Sequence, residues 1–239
     1  MYKVHLLILF NVFLIAEGFE DIAFADESTF AHNYVRALHL VSPLVWDEGL
    51  ASMAEQYSKV LSHKGTFMEK SKNAQSGYVG ENIFKGFDRL KFPKTMADAV
   101  YFWYYEINGY PFDSDNPDDE KHGHFTQVVW NSTTRVGCGR VTKEEYGGLM
   151  TYIVCNYTPK GNIHGMFKVN VLPLANNEPV LSADQLHSLT GCVDIHKDCE
   201  KWVGVCRQEI FKNAMLKYCK KTCNILVLSP SPSSLEKIL

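Results

Sequence analysis

The segment that decides the fold is His122-Gly-His-Phe-Thr-Gln-Val-Val-Trp130. Residues 125–130 alternate in polarity and are rich in β-branched and aromatic side chains, a pattern that predicts a strand with a buried face. After a turn-like segment, residues 136–141 predict a second strand, in which glycines flank Cys138 and indicate the close approach of another backbone. We therefore expect a hairpin with His124 at its mouth and a cysteine on its return strand.

A partner for that cysteine follows 17 positions later. Cys155 lies in a third strand-like segment, 149–157, which is followed by residues typical of a turn. A disulfide between Cys138 and Cys155 would join the two strands, and closing a loop of this length contributes about 3 kcal/mol in the chain-entropy model.

Two segments of this region resemble the signatures of a known family. Gly-His-Phe-Thr-Gln-Val-Val-Trp at 123–130 and Tyr-Ile-Val-Cys-Asn-Tyr-Thr-Pro-Lys-Gly-Asn-Ile at 152–163 look like the two signature segments of the CAP superfamily. That superfamily comprises cysteine-rich secretory proteins, insect venom allergens and plant pathogenesis-related proteins. The resemblance covers about residues 28–175 and implies an α+β fold, the α-β-α sandwich of the CAP domain.

The apolar spacing of the preceding chain supports a layered α+β domain, because helices come first and strands follow. Predicted helices are 28–41, a second one capped by Asp47 and ending near His63, and 95–105. A short extended segment is expected at 80–84, and an exposed acidic loop at 111–121.

Composition and the N-terminus indicate a secreted globular protein. The chain has 239 residues, 46% hydrophobic and 21% charged, which suits one core with a small appendage. A net charge of −3 gives no argument for a nucleic-acid partner. Residues 6–16 fit the apolar region of a signal peptide within 1–25, with cleavage expected between 18 and 25, and no later stretch predicts a transmembrane anchor.

The cysteines predict a second module. Five of the seven lie within 192–223, which in an exported chain indicates disulfides rather than a metal cluster. This region resembles the ShK-like toxin domain without its sixth cysteine, which is Leu226 here. The expected organisation is a CAP domain at 26–175, a linker at 176–190, an ShK-like domain at 191–226 and a disordered tail at 227–239.

The ShK-like resemblance also implies disulfide pairing. It implies the pairs Cys199–Cys219 and Cys206–Cys223, and it leaves Cys192 without its partner. Cys192 then either stays free or pairs between chains to give a disulfide-linked dimer.

The CAP resemblance implies a cleft lined by His63, Glu81, Glu106 and His124. Imidazoles near neutrality bind divalent cations and a nearby carboxylate orients them, so zinc binding by His63 and His124 is one hypothesis. Two histidines are fewer ligands than zinc sites use, and the four groups could equally form a hydrogen-bond network that fixes the fold.

Other polar residues are expected to have lesser roles. His122 would share a strand face with His124 but is expected in an exposed loop, and His32 and His39 are expected to pack between helices. Asn131, in a turn, is the expected N-glycosylation site, whereas the sequon at Asn156 lies on a predicted core strand.

These features favour an extracellular binding or effector protein of the venom-allergen type, without catalytic turnover. Its partner would be an extracellular protein or a lipid, since some CAP relatives bind sterols or fatty acids. One alternative is a metal-dependent hydrolase that uses the cleft. Another is a potassium-channel modulator, suggested by the pair Lys217–Tyr218 in the ShK-like region, although an interaction or stability role is favoured for that module.

Overall fold

A computed structural model of the chain describes residues 24–64 and 69–175. The chain divides into two compact units, Met1–Leu181 and Ser182–Leu239, and the described residues all belong to the first. The expected signal-peptide region before residue 24, the linker, the ShK-like domain with its disulfides and Cys192, and the tail lie outside the described residues.

Helices and short strands alternate along the described chain before a long β-hairpin. The helices are α1 (24–38), α2 (Glu48–Lys64), α3 (Lys72–Gln75), α4 (Met96–Tyr104), α5 (Asp119–Val129) and α6 (Phe167–Asn170), with a 3₁₀ turn at Tyr105–Ile107. The strands are β1 (Val45–Trp46), β2 (Gly80–Asp88), β3 (Arg135–Glu145) and β4 (Gly148–Thr158).

The four strands form one sheet in the order β1-β3-β4-β2. β4 pairs antiparallel with both β3 and β2, and β1 pairs parallel with β3. Cys138 and Cys155 are directly opposite in this register, and a disulfide joins them as the sequence predicts. Tyr146 and Gly147, both with positive φ, connect β3 to β4 in the two-residue turn that matches the twist of antiparallel strands.

Helix α2 covers one face of the sheet. Ala54 and Leu61 pack in a buried cluster with Ile83 and Val154 of the strands. The helix backbone lies so close to β3 that a Cβ atom on Gly137 or Gly139 would overlap it. This explains the glycines that flank Cys138, from which the sequence predicted a close backbone approach.

Helices α1, α4 and α5 cover the other face. His32 of α1 contacts Tyr157 of β4, and the indole nitrogen of Trp103 in α4 donates to the carbonyl oxygen of Ile83 at 3.1 Å. Helix α5 joins this layer through Asn82, whose side-chain amide donates to the carbonyl oxygen of His124. The predicted α-β-α sandwich is therefore confirmed.

A fully buried arginine joins three segments of this layer. The guanidinium of Arg36 in α1 donates to four backbone carbonyl oxygens, which belong to Ser42, Val128, Trp130 and Thr133. Burial lowers the pKa of Arg36 to about 10, so the group still carries its charge at neutral pH. It satisfies carbonyl groups at the end of α5, where the helix itself provides no partners.

The prediction of a strand at 125–130 was wrong, because these residues belong to α5. The Asp118 carboxylate accepts a hydrogen bond from the backbone N–H of Glu120 and caps the helix. Phe125, Val128 and Val129 are fully buried, at the spacing of one helical face. A short apolar run fits both periodicities, and the helix start in the acidic loop decides between them. His122 therefore lies in a helix and not in an exposed loop.

The structure adds a short helix, α3, and defines where α4 begins. The predicted loop between α2 and β2 contains α3, whose cap is the hydroxyl of Ser71. Thr95 and Asp98 form a reciprocal capping box that begins α4, close to the predicted start of that helix. Within 24–64 and 69–175, no helix combines the length and apolar character needed to cross a bilayer.

Candidate functional site

Glu106 and His124 form the centre of the candidate site. Glu106 lies in the 3₁₀ turn after α4, and its Oε1 accepts a hydrogen bond from Nδ1 of His124 at 2.6 Å. Its Oε2 accepts from the backbone N–H groups of His124 at 2.9 Å and Phe125 at 3.1 Å. The carboxylate thus orients the imidazole, and Nε2 is the ring nitrogen available to a ligand. The His124 side chain is 36% exposed, so that nitrogen is accessible.

The position of His124 is fixed from the sheet side as well. Its ring stacks on Trp103, with ring centroids 6.4 Å apart and the planes inclined by 13°. The side-chain amide of Asn82 donates to the backbone carbonyl oxygen of His124. Both Trp103 and Asn82 are in turn held by β2: the indole of Trp103 donates to the carbonyl oxygen of Ile83, and Asn82 is the residue before Ile83 on that strand. These contacts fix the orientation of the His124 ring and backbone.

Glu81, the second predicted carboxylate, lies beside Asn82 at the start of β2. It is 6% exposed, and its Oε1 accepts the backbone N–H of Ser71 at 2.7 Å. Its Oε2 is buried without a hydrogen-bond partner among the described groups. Burial raises the pKa of Glu81, while the hydrogen bonds from Ser71 and the positive charge of Lys70 act in the opposite direction.

His63 lies in the last turn of α2, exposed to solvent. Its Nδ1 donates to the carbonyl oxygen of Lys59 one turn earlier, at 2.7 Å. The preceding residue, Ser62, accepts a hydrogen bond from the ammonium group of Lys143 at 3.3 Å, which places this end of α2 beside the far half of β3.

The register of the sheet relates Lys143, which contacts the end of α2, to positions on β2. Lys143 is paired with Met150, which is paired with Phe87 of β2. Phe87 is six residues beyond Glu81 on that strand, which corresponds to about 20 Å. The structure thus brings Glu106 and His124 into contact and places Glu81 next to Asn82, whose side chain binds the backbone of His124. Among the described residues, the hydrogen bonds of His63 go to Lys59 and Ser62.

Zinc binding by His63 and His124 stays a prediction. Two imidazoles supply fewer ligands than zinc sites normally use. Among the residues that the structure describes, no group of three or more His, Cys, Asp or Glu side chains could hold a metal ion.

His122 contributes to the site, which sequence reasoning missed. It is 8% exposed, and its Nδ1 donates to the backbone carbonyl oxygen of Glu106 at 2.6 Å. Residues 122 and 124 thus both hold Glu106, one through its backbone and one through its carboxylate. A helix prediction for this segment would have revealed the role, since it places His122 one turn before the buried Thr126.

The remaining predicted residues lie away from the site. His32 and His39 are buried and packed between elements, as expected, and each binds a backbone carbonyl through Nδ1 and a tyrosine hydroxyl through Nε2. Burial lowers the pKa of His32 to about 4 and also lowers that of His39. Asn131 is exposed after α5, whereas Asn156 is 1% exposed in β4.

A surface cavity of about 430 Å³ lies between the start of α2 and the ends of β2 and β4, and it was not predicted. It is lined by Asp47, Gly49, Leu50, Met53, Tyr78, Val79 and Thr158. The Asp47 carboxylate already accepts the N–H of Leu50 and pairs with Arg135 at 3.1 Å. The remaining side chains give the cavity a mainly apolar wall, with the 70% exposed ring of Tyr78 at its edge.

Comparison with known proteins identifies the family. The model of the CAP, or cysteine-rich secretory protein, family matches residues 29–157, and the ShK domain-like model matches 191–225. Protein PRY2 of Saccharomyces cerevisiae is 38% identical over 146 residues, 60% of this chain and 40% of the yeast protein. The chain thus spans less than half the length of that relative.

Two further proteins show the same likeness. Pathogenesis-related protein 1B of Nicotiana tabacum is 39% identical over 137 residues, 56% of this chain and 74% of the tobacco protein. The crystal structure of NaASP2 with Zn²⁺ is 23% identical and covers 61% of this chain and 83% of its own, with a TM-score of 0.45. With a family match over more than half of its length, this chain belongs to the cysteine-rich secretory protein (CAP) family and carries an ShK-like segment after its CAP domain.

Proposed function

We propose that this protein is a secreted, CAP-type binding protein of the venom-allergen kind that acts without catalytic turnover. Family membership and the apolar segment at 6–16 support secretion. Metal-dependent hydrolysis in the cleft of His63, Glu81, Glu106 and His124 is the alternative function. A disulfide joins the two described cysteines, so neither is a nucleophile.

The observation that carries the binding function is the cavity at the start of α2. Its volume of about 430 Å³ lies within the range of small-molecule sites, about 300–1,000 Å³. Leu50 and Val79 are buried at its base, and the side chains of Met53 and Tyr78 extend the apolar wall. Each methylene group that a ligand buries there contributes about 0.8 kcal/mol.

Charge favours a ligand with a carboxylate group. The ammonium group of Lys160 lies 2.8 Å from the position that a Cβ atom on Gly77 would take. Gly77 directly precedes Tyr78, a residue of the cavity wall. Within 24–64 and 69–175, this ammonium makes no ion pair, and the one carboxylate of the cavity is already paired with Arg135. The ligand class is therefore a fatty acid, with its chain on the apolar wall and its carboxylate toward Lys160.

Binding of fluorescent dodecanoate to the full chain, purified from the medium of eukaryotic cells, tests this function. Met53→Lys places a charge in the apolar wall and should weaken binding about tenfold or more, whereas the matched variant Met166→Lys, on a surface away from the cavity, should not. Lys160→Gln should weaken dodecanoate binding several-fold but leave dodecanol binding unchanged. Equal affinities for all variants would contradict the proposal.

The ShK-like match favours a second candidate function, modulation of potassium channels. The segment between Cys192 and Cys223 contains seven Lys or Arg residues and four Asp or Glu residues. Lys217–Tyr218 resembles the pair that pore blockers insert, although it directly precedes Cys219, whereas in the blocking toxins the pair lies further before that cysteine. These residues lie outside the described part of the chain. Recording of potassium currents with the full chain tests this candidate: block should be lost in Lys217→Ala, and absence of block by the wild type contradicts it.

A further inference from the structure

The tip of the β3–β4 hairpin presents the most exposed large hydrophobic side chain of the described residues. Tyr146 is 88% exposed, whereas the hydroxyl-bearing rings of Tyr104, Tyr152 and Tyr157 are at most 2% exposed. β2 ends at Asp88, which pairs with Leu149, so the turn extends beyond the last paired residue of the neighbouring strand. The tyrosine therefore stands clear of the sheet.

The turn leaves open space around this ring. Tyr146 and Gly147 both adopt positive φ, 51° and 76°, and two glycines follow the tyrosine. A Cβ atom on Gly147 would meet no heavy atom within 4 Å beyond its chain neighbours. An enzyme could enclose the phenol and the residues on both sides of it without unfolding the hairpin.

Two carboxylates precede the tyrosine directly. Glu144 pairs with Lys91 at 3.1 Å and Glu145 pairs with Lys143 at 2.7 Å. The Glu144 side chain is 72% exposed and that of Lys91 is 52% exposed, so water and other ions compete with this ion pair. A basic enzyme groove could therefore attract Glu144, and the groove would then hold Tyr146 beside it.

We propose that Tyr146 is a site of tyrosine O-sulfation, read mainly through Glu144, because the Glu145 side chain is only 17% exposed. The donor is a phosphosulfate anhydride of adenosine. The phenolic oxygen forms a bond to sulfur, the bond from sulfur to the bridging oxygen breaks, the phosphate leaves with the electron pair, and the phenolic proton passes to a base of the sulfotransferase. No oxidant or reductant is needed.

The inference rests on the proposed function in one respect, because the reaction takes place in the secretory pathway. Its product is a fixed negative charge with strong acceptor oxygens at a projecting tip. Such a group forms paired hydrogen bonds with arginine side chains, so the modified hairpin would recognise a basic protein surface.

Mass spectrometry of the full chain, collected from the medium of sulfation-competent cells, tests the site. The peptide that contains Tyr146 should carry one SO₃ group, which should disappear when the cells are grown with chlorate, an inhibitor of donor synthesis, and in Tyr146→Phe. Tyr78 and Tyr105 serve as internal controls, because they are 70% and 58% exposed but no acidic residue stands within the three positions before either. Both should remain unmodified.

The carboxylates are tested separately. Glu144→Gln with Glu145→Gln should lower the sulfated fraction about fivefold or more, whereas Glu48→Gln with Glu55→Gln, at exposed positions of α2, should leave it unchanged. An unmodified or phosphorylated Tyr146 in the secreted product would overturn the proposal.

Transfer to the purified full chain by a tyrosylprotein sulfotransferase gives an answer that does not depend on secretion. Absence of the chain from the medium would contradict the proposed function alone, while failure of transfer in vitro would contradict the sulfation site alone.

Discussion

Acidification should destabilise this protein through His32. The ring is fully buried, its Nδ1 donates to the carbonyl oxygen of Ser28 at 2.7 Å, and its Nε2 accepts from the hydroxyl of Tyr157 at 2.9 Å. Burial lowers its pKa from 6.5 to about 4, so the folded protein keeps the ring neutral. Once the ring is protonated, Nε2 can no longer accept the hydrogen bond from Tyr157.

The sign and size of the effect follow from linkage. Below pH 6.5 the unfolded chain binds a proton at His32, while the folded protein does not until about pH 4. The stability contributed by the neutral ring is thus complete above pH 6.5 and is lost as the pH falls through this window. The pKa difference corresponds to about 3 kcal/mol in the free energy of unfolding.

Urea unfolding of the wild type and His32→Gln, with the disulfide intact, measures this contribution. The wild type should be the more stable protein above pH 6.5, and its advantage should shrink by about 3 kcal/mol as the pH approaches 4. His164→Gln is the matched control, because that ring is 71% exposed and its substitution should leave the pH dependence nearly unchanged. A difference between wild type and His32→Gln that stays constant over this range would refute the reasoning.

Three further predictions concern packing, the buried cation and the metal site. Gly139→Ala should destabilise the fold by about 2 kcal/mol or more in urea unfolding, since its Cβ would overlap the backbone of Glu55; a neutral effect would contradict the close approach. Arg36→Met removes four hydrogen bonds to backbone carbonyl groups and should lower the free energy of unfolding by about 4 kcal/mol or more. The control Arg135→Met removes an ion pair at the surface and should lower it by less than about 1 kcal/mol. Calorimetric titration with zinc should give a binding heat for the wild type that is lost in His63→Ala, and no heat in the wild type would contradict the predicted site.

The order of helices and strands predicted an α+β layered domain, and the resemblance to the CAP superfamily implied the α-β-α sandwich. The strand-like segments around Cys138 and Cys155 were local signals, and the glycines beside Cys138 indicated the close backbone approach that the structure shows. The segment at 125–130 was assigned to a strand because its apolar and β-branched residues fit either period, and the deciding information, the cap at Asp118, lies outside the segment.

The candidate site was predicted in part for a related reason. The resemblance identified all four residues, His63, Glu81, Glu106 and His124, through the motifs in which they occur. The structure brings Glu106 and His124 into contact, whereas the placement of the end of α2 beside Lys143 depends on long-range contacts of the sheet. The cavity beside α2 could not be predicted, because its lining comes from three distant segments.

The buried guanidinium has a consequence for the biogenesis of this protein. Its acceptors on Val128, Trp130 and Thr133 follow Arg36 by 92 to 97 residues. Ribosomes release the N-terminal part first, so the first helix must wait, with its cation unsatisfied, until residue 133 has emerged. Chaperones that shield nascent amphipathic helices should therefore associate with this polypeptide through most of its translation.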